Sequence, residues 1–178
     1  MERFKRGVVC PLIMFISSML PAVEMGAAPG AGSANVKPAE SELMAELQKD
    51  AEQGNVRAQY VLGCCYNGDR GFPRDSVRAT KWWGMAAASG FADAEFCLGL
   101  SCFMGEGIAK DAAVAVKWWK KAADQDNPDA EYFLGLSYRT GLGVPRSIPL
   151  AIFWLQKSAS QGVRAAKDQL KEITSSPG

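Results

Sequence analysis

The chain has 178 residues, of which 20 are basic and 19 acidic, and it contains no histidine. This length suits one domain of ordinary size, and the balanced charge excludes the strongly basic surface that nucleic-acid binding requires. The lack of histidine excludes His-based catalytic triads, histidine metal sites and the usual general base near neutral pH. We therefore expect no catalytic residue, no cofactor, no metal and no nucleic-acid partner.

Residues 1–25 have the layout of a secretory signal peptide. Arg3, Lys5 and Arg6 form a positive segment, and an apolar run follows at residues 8–20, before small residues. This run is shorter than the roughly 20 residues that span a bilayer. An uncleaved N-terminal anchor is the alternative. The pattern predicts an exported protein, periplasmic or secreted, with no integral membrane span after cleavage.

Residues 26–40 are rich in alanine, glycine and proline and have no hydrophobic periodicity. Such a composition predicts a flexible linker. We expect a disordered tail at residues 174–178. Between these segments, residues 41–173 form one predicted domain.

A block of 36 residues occurs three times in this domain without a change of register. The motif A-x-x-x-L-G begins at Ala58, Ala94 and Ala130, and a tryptophan follows at Trp82, Trp118 and Trp154. A period between about 20 and 50 residues indicates a solenoid of stacked units. We place the repeats at about residues 55–90, 91–126 and 127–162.

Each block predicts two helices joined by a glycine-containing loop. In the second block, Ala94, Leu98 and Cys102 share one helical face, and residues 112–123 predict a second helix. The expected N-caps of the second helices are Asp75, Asp111 and Ser147. Residues 41–53 match a second helix and residues 164–173 a first helix, which predicts half-repeats that cap the stack.

Three glycines, Gly63, Gly99 and Gly135, fall inside the predicted first helices. Each costs about 1 kcal/mol of helix stability relative to alanine, so their recurrence predicts the close approach of another helix. We expect that approach under Trp82, Trp118 or Trp154, which we place in the core. The neighbouring Trp83 and Trp119 are either exposed or covered by the next helices.

The pattern A-x-x-x-L-G-x-x-Y-x-x-G-x-G-V, followed by D, A-x-x-W-x-x-K-A-A and G, resembles the Sel1-like repeat, a relative of the tetratricopeptide repeats. The third block fits best, whereas Met85 replaces the lysine in the first block and Cys102 the tyrosine in the second. The resemblance covers roughly residues 41–173. It implies an all-α, right-handed solenoid of three helical hairpins with half-repeat caps.

This resemblance implies a non-enzymatic adaptor that binds a protein or peptide, and the signal peptide suggests the bacterial cell envelope. Two alternatives are a peptidoglycan- or glycan-binding protein and a β-lactamase-like enzyme, a label that some cysteine-rich relatives carry. A serine β-lactamase of the common type needs S-x-x-K, S-D-N and K-T-G, and none of these occurs in the sequence. A metal-dependent version needs histidines.

The first helices carry the candidate partner-binding residues. Tyr60, Phe96 and Tyr132 form an aromatic row that either lines a groove or packs against the next repeat. Three polar neighbours are expected to face solvent and offer polar contacts to a partner: Gln59, Glu95 and Glu131.

Four cysteines remain after the predicted cleavage: Cys64, Cys65, Cys97 and Cys102. An oxidising compartment permits disulfides, and four cysteines allow three pairings. Because adjacent cysteines are poor partners for each other, a bridge would join the first pair to Cys97 or Cys102. Packing as small apolar residues is the alternative. The bridges of the cysteine-rich relatives join the two helices of one repeat, whereas these four all lie on predicted first helices.

Overall fold

In a computed structural model, the chain is described at residues 38–69 and 72–175, and these residues are helical apart from short connections. The helices are α1 Pro38–Glu52, α2 Val56–Tyr66, α3 Ser76–Ala88, α4 Ala92–Met104, α5 Ala112–Asp124, α6 Pro128–Thr140, α7 Ile148–Ser160 and α8 Arg164–Ser175. No strand occurs among the described residues, and no helix there has the length and apolar character needed to cross a bilayer.

Successive helices pack against each other in chain order. The pairs α2–α3, α4–α5 and α6–α7 are three hairpins, with α1 and α8 as single helices at the two ends. The predicted all-α solenoid is therefore confirmed. The predicted signal peptide lies outside the described residues. Helix α1 includes residues 38–40 of the predicted linker, and α8 includes Thr174 and Ser175 of the predicted tail.

The predicted caps begin the second helices. Asp75 accepts a hydrogen bond from the backbone N–H of Arg78, Asp111 from two backbone N–H groups, and Ser147 from that of Leu150. These side chains satisfy donors that have no partner within the helix. At the other end of the loops, Gly105 and Gly141 adopt φ of 80° and end α4 and α6.

The two helices of a hairpin cross at the predicted glycines. A Cβ placed on Gly99 would lie 2.5 Å from Cδ1 of Trp119, and one on Gly135 would lie 2.6 Å from Cγ of Leu155. A Cβ on Gly63 would overlap the ring of Trp83. The close approach is confirmed, but its expected partners were wrong by one position. Successive residues on a helix point about 100° apart, so this shift selects a different face.

The other tryptophans lie between hairpins. Trp82 packs against the cluster of Ala51, Ala58 and Leu62, which joins α1 to α2. Trp154 is buried in the cluster shared by the second and third hairpins, whereas Trp82 and Trp118 are half-buried. In each block, the first of these two adjacent positions therefore packs toward the preceding unit, and the second packs within the hairpin.

The crossing predicts opposite effects for two helical glycines. Gly99→Ala should lower the free energy of unfolding by about 1–3 kcal/mol, because the methyl group overpacks the contact with Trp119. Gly84→Ala, in α3, should raise it by about 0.5–1 kcal/mol, because no atom lies within 4 Å of the added Cβ. Urea denaturation followed by circular dichroism measures both. Equal effects of the two substitutions would contradict a steric role for Gly99.

Candidate functional site

Most residues of the predicted partner-binding set are buried. Gln59, Glu95 and Glu131 are among the buried polar residues, so the expectation that they face solvent was wrong. Their side chains lie at the junction between the start of a first helix and the end of a second helix, where each forms a hydrogen bond across the junction. A direct contact with a partner stays a prediction for these residues.

Glu131, whose exposed fraction is 0%, is held by charge and hydrogen bonding. Its Oε1 lies 2.9 Å from Nζ of Lys157, and its Oε2 accepts a hydrogen bond of 2.8 Å from Gln161. Lys157 also lies 2.7 Å from Asp126 and donates to the carbonyl of Ala123. The hydrogen bonds to Asp126 and Glu131 raise the pKa of Lys157, so this lysine is charged at neutral pH.

The second hairpin repeats the arrangement around Glu95. Gln125 donates a hydrogen bond of 2.7 Å to Oε2 of Glu95. Burial raises the pKa of Glu95, while the charge of Lys121 and the bond from Gln125 act in the opposite direction. Each buried glutamate therefore accepts a hydrogen bond from the glutamine that follows the second helix of its hairpin, and Glu131 also forms an ion pair with Lys157.

The first hairpin has neither the lysine nor the glutamate. Met85 and Ser89 occupy the slots of Lys121 and Gln125, and Gln59 occupies the slot of Glu95. The Nε2 of Gln59 donates instead to the carbonyl of Ala51 in α1. A neutral amide replaces the carboxylate where the cation is missing, which avoids an unpaired buried charge.

The aromatic row contributes to contacts between hairpins. Tyr60 packs against Phe91, with 5.1 Å between ring centroids, and Phe96 packs against Phe133 at 5.6 Å. Tyr132 is half-buried and packs against the cluster that joins α7 to α8. These contacts fit the alternative of packing against the next repeat, and a groove for a partner stays a prediction.

The cysteines occupy the first helices of two adjacent hairpins. Cys64 and Cys65 belong to α2, and Cys97 and Cys102 belong to α4. Cys65 and Cys102 are buried, and the other two are half-buried. Burial raises the pKa of the Cys102 thiol, which disfavours the reactive thiolate. Whether any of the four forms a disulfide stays a prediction.

Two carboxylates lie half-buried where α4 and α6 begin. Burial raises the pKa of Asp93 and that of Asp129, and the charge of Asp93 raises the pKa of Asp129 further. Asn127 donates a hydrogen bond of 2.9 Å to Asp93. No group of three or more potential metal ligands lies together among the described residues.

An exposed apolar pair lies on the outer face of α7. The exposed fractions are 43% for Leu150 and 53% for Phe153, which lie one turn apart. The Phe153 ring meets Trp154 edge-on at 5.0 Å. We call Leu150 and Phe153 the α7 patch. Sequence reasoning did not select this pair, although block alignment carries the signal: Lys81 and Lys117 occupy the slot of Phe153 in the other two blocks.

The Sel1 repeat family model matches residues 56–91, 92–127 and 128–163. The chain belongs to the Sel1 repeat family. Sel1 repeat proteins are generally protein-interaction modules, and the fold is typically a non-enzymatic scaffold. A search of curated proteins finds no match.

Solved Sel1 structures resemble the chain. A Sel1 repeat protein from Oxalobacter formigenes is 35% identical with a TM-score of 0.66, over 74% of this chain and 98% of that one. The protein c5321, a protective antigen of uropathogenic Escherichia coli with an SLR fold, is 35% identical with a TM-score of 0.71, over 73% of this chain and 28% of that one. The match to cysteine rich protein B of Helicobacter pylori covers 72% of this chain and 97% of that one, with 20% identity and a TM-score of 0.58. At this identity the match shows a similar fold only.

The buried ion pair predicts a strong coupling between Lys157 and Glu131. Lys157→Met should lower the free energy of unfolding by about 3 kcal/mol, because it leaves a fully buried carboxylate without its cation. Adding Glu131→Gln should recover most of that loss, since the pair then matches Met85 and Gln59 of the first hairpin. A double-mutant cycle by urea denaturation measures the coupling. Additive effects would contradict it.

The raised pKa of Asp129 predicts a pH-dependent gain for Asp129→Asn. A carboxyl whose pKa is higher in the folded than in the unfolded protein destabilises the fold when ionised, and this penalty disappears as the pH falls toward the ordinary value of 3.8. The variant should therefore exceed the wild type in thermal midpoint at pH 7, and the difference should shrink on acidification. Asp168→Asn, at an exposed site on α8, is the control. A difference that grows on acidification would refute the assignment.

Proposed function

We propose that this protein is a non-enzymatic adaptor of the bacterial cell envelope and that it binds another protein through the α7 patch. The observation that carries the proposal is the exposure of Phe153 and Leu150. The residues at the same positions of the other two blocks are mostly charged. Arg78 and Lys81 occupy these slots in the first block, and Val114 and Lys117 in the second.

The exposure of Phe153 is not a consequence of its place in the last hairpin. Lys81 and Lys117 occupy the same slot in hairpins that are followed by another complete hairpin, and both are exposed. The slot therefore faces solvent along the whole stack. Phe153 stays largely exposed in this slot, and its ring contact is with Trp154 of the same helix.

The chemistry of the patch favours an apolar protein side chain over a sugar. Aromatic residues are enriched among the residues that dominate binding energy in protein interfaces, where they fill a pocket of the partner. Gln156 lies one turn beyond the phenylalanine, is exposed and supplies a polar group at its rim. Neither Leu150 nor Phe153 has a polar side-chain group to bond sugar hydroxyls.

The proposed location rests on the sequence of residues 1–25, with its positive start and apolar run. Export would place the adaptor in the periplasm or outside the cell. Cell fractionation of the native host tests this location. Recovery in the cytoplasmic fraction, at the mass of the uncleaved chain, would refute it.

Photocrosslinking tests the binding surface. With p-benzoylphenylalanine at position 153, ultraviolet light in the native host should give a discrete protein adduct, because the proposed partner covers this ring. The same residue at position 117, which is the equivalent exposed slot on α5, should give no such adduct. Mass spectrometry then identifies the crosslinked protein.

Substitution completes the test. Phe153→Lys restores the residue of the other two blocks, so the fold should be unaffected and the partner should no longer copurify. Val77→Lys, at another exposed apolar residue on α3, is the matched control and should retain the partner. Identical partners for both variants and the wild type, or recovery of the wild type by isolated sacculi alone, would count against the proposed adaptor.

A further inference from the structure

Helix α1 is in register with the second helices, and the described residues include no first helix that would pair with it. The 36-residue register places Leu43 in the slot of Ala79, Ala115 and Ala151, and Leu47 in the slot of Trp83, Trp119 and Leu155. In the complete hairpins these slots are covered by the first helix. Among the described residues, the helix that packs against α1 is α2, which belongs to the next unit.

The register also shows how closely a first helix approaches these slots. A Cβ on Gly99 would lie 3.2 Å from the carbonyl oxygen of Ala115, and one on Gly135 would lie 3.3 Å from that of Ala151. The exposed fraction of both alanines is 0%. Leu43, in the same slot of α1, is 53% exposed. Among the described residues, no helix covers Leu43 on the face of α1 that would receive a glycine-bearing helix.

This face keeps the lysine and the glutamine that bind Glu131 in the third hairpin. Lys49 occupies the slot of Lys121 and Lys157, and Gln53 occupies the slot of Gln125 and Gln161. In the third hairpin this lysine and glutamine hold the two oxygens of Glu131 at 2.9 and 2.8 Å. Both Lys49 and Gln53 are exposed. The first hairpin has lost this pair, whereas α1 has retained it without an internal glutamate in register.

We propose that α1 binds a helix of another protein that carries a glutamate followed four residues later by glycine, which completes a hairpin between two chains. The spacing is that of Glu95 to Gly99 and of Glu131 to Gly135. The glutamate meets Lys49 and Gln53, and the glycine crosses α1 over Leu43 and Leu47. We call Leu43, Leu47, Lys49 and Gln53 the α1 face.

Asp50 gives the bound helix a direction. It occupies the slot of Ser158, whose hydroxyl donates a hydrogen bond of 2.8 Å to the carbonyl of Pro128, the first residue of α6. A residue in this slot therefore lies beside the start of the first helix. In the same arrangement as α6 against α7, the bound helix runs antiparallel to α1 with its N-terminus beside Asp50.

A second copy of this chain is a poor occupant. Its unpaired first-type helix is α8, in which Lys167 occupies the glutamate slot and Lys171 the glycine slot. Lys167 would face Lys49 with the same charge, and the long side chain of Lys171 would stand where the crossing needs a glycine. The chain's own residues in register also lack the pattern, because Val23 and Ala27 occupy these two slots and Pro21 and Pro29 flank them.

A peptide with the sequence of residues 127–140 tests the α1 face, since it contains the cap, the glutamate and the glycine of α6. Fluorescence anisotropy with the labelled peptide and the full chain should show saturable binding. Leu43→Glu should weaken that binding by about tenfold or more, because it places a charge at the crossing. Leu43 is largely exposed, so this variant should keep the helical content and the thermal midpoint of the wild type.

A charge exchange distinguishes the α1 face from non-specific binding. Lys49→Glu should weaken binding of the same peptide by about tenfold, and a peptide with Glu131→Lys should regain most of the affinity for that variant. Phe153→Lys should bind the original peptide like the wild type, because the α7 patch is a separate surface. The proposal therefore stands or falls independently of the α7 patch.

Three outcomes would overturn the proposal. The wild-type chain does not bind the peptide; the charge exchange gives no recovery; or the wild type forms head-to-tail oligomers that Leu43→Glu dissociates, which would identify a second copy as the occupant. Light scattering after size-exclusion chromatography measures the last of these.

Discussion

The structure depends on a backbone contact that only glycine permits. Within each hairpin, a glycine of the first helix touches Trp83, Trp119 or Leu155 of the second helix so closely that a methyl group would not fit. Between hairpins, a Cβ on Gly107 or Gly143 would overlap the first turn of the preceding second helix, at Ser76 or Ala112. The same two contacts recur in successive units, so the hairpins share one shape and stack in a constant register.

In the third hairpin, the fully buried carboxylate of Glu131 has its own cation. Lys157 joins the end of α5 to α6, since it reaches both Asp126 in the turn and Glu131 in the helix. Asp126 has a φ of 61° in a slot where Gly54, Gly90 and Gly162 stand in the other units, and aspartate tolerates this left-handed conformation better than most residues. This turn therefore has aspartate where the other units have glycine, and the aspartate places a carboxylate beside Lys157.

Local patterns predicted the helices and their caps, because those features depend on spacing within a few helical turns, and the 36-residue register predicted the half-repeats. The pattern did not predict which face of a helix is covered. Trp82 and Trp83 are adjacent and equally apolar, and only the position of Gly63 relative to the second helix distinguishes them. The burial of Glu131 likewise depends on Gln161, which is 30 residues away in the sequence. Because glutamate is mostly exposed in proteins, the local pattern around Glu131 predicts a surface residue.

Differences between the blocks separate residues that serve the fold from residues that serve something else. Gln59 and Met85 change together, and the result is a neutral pair, so the fold accounts for both. Phe153 replaces a lysine on an exposed slot, and Lys49 keeps a charge for which the chain offers no glutamate in register. Neither residue improves the packing of the stack. We propose a contact outside the chain as the reason for each of these two departures.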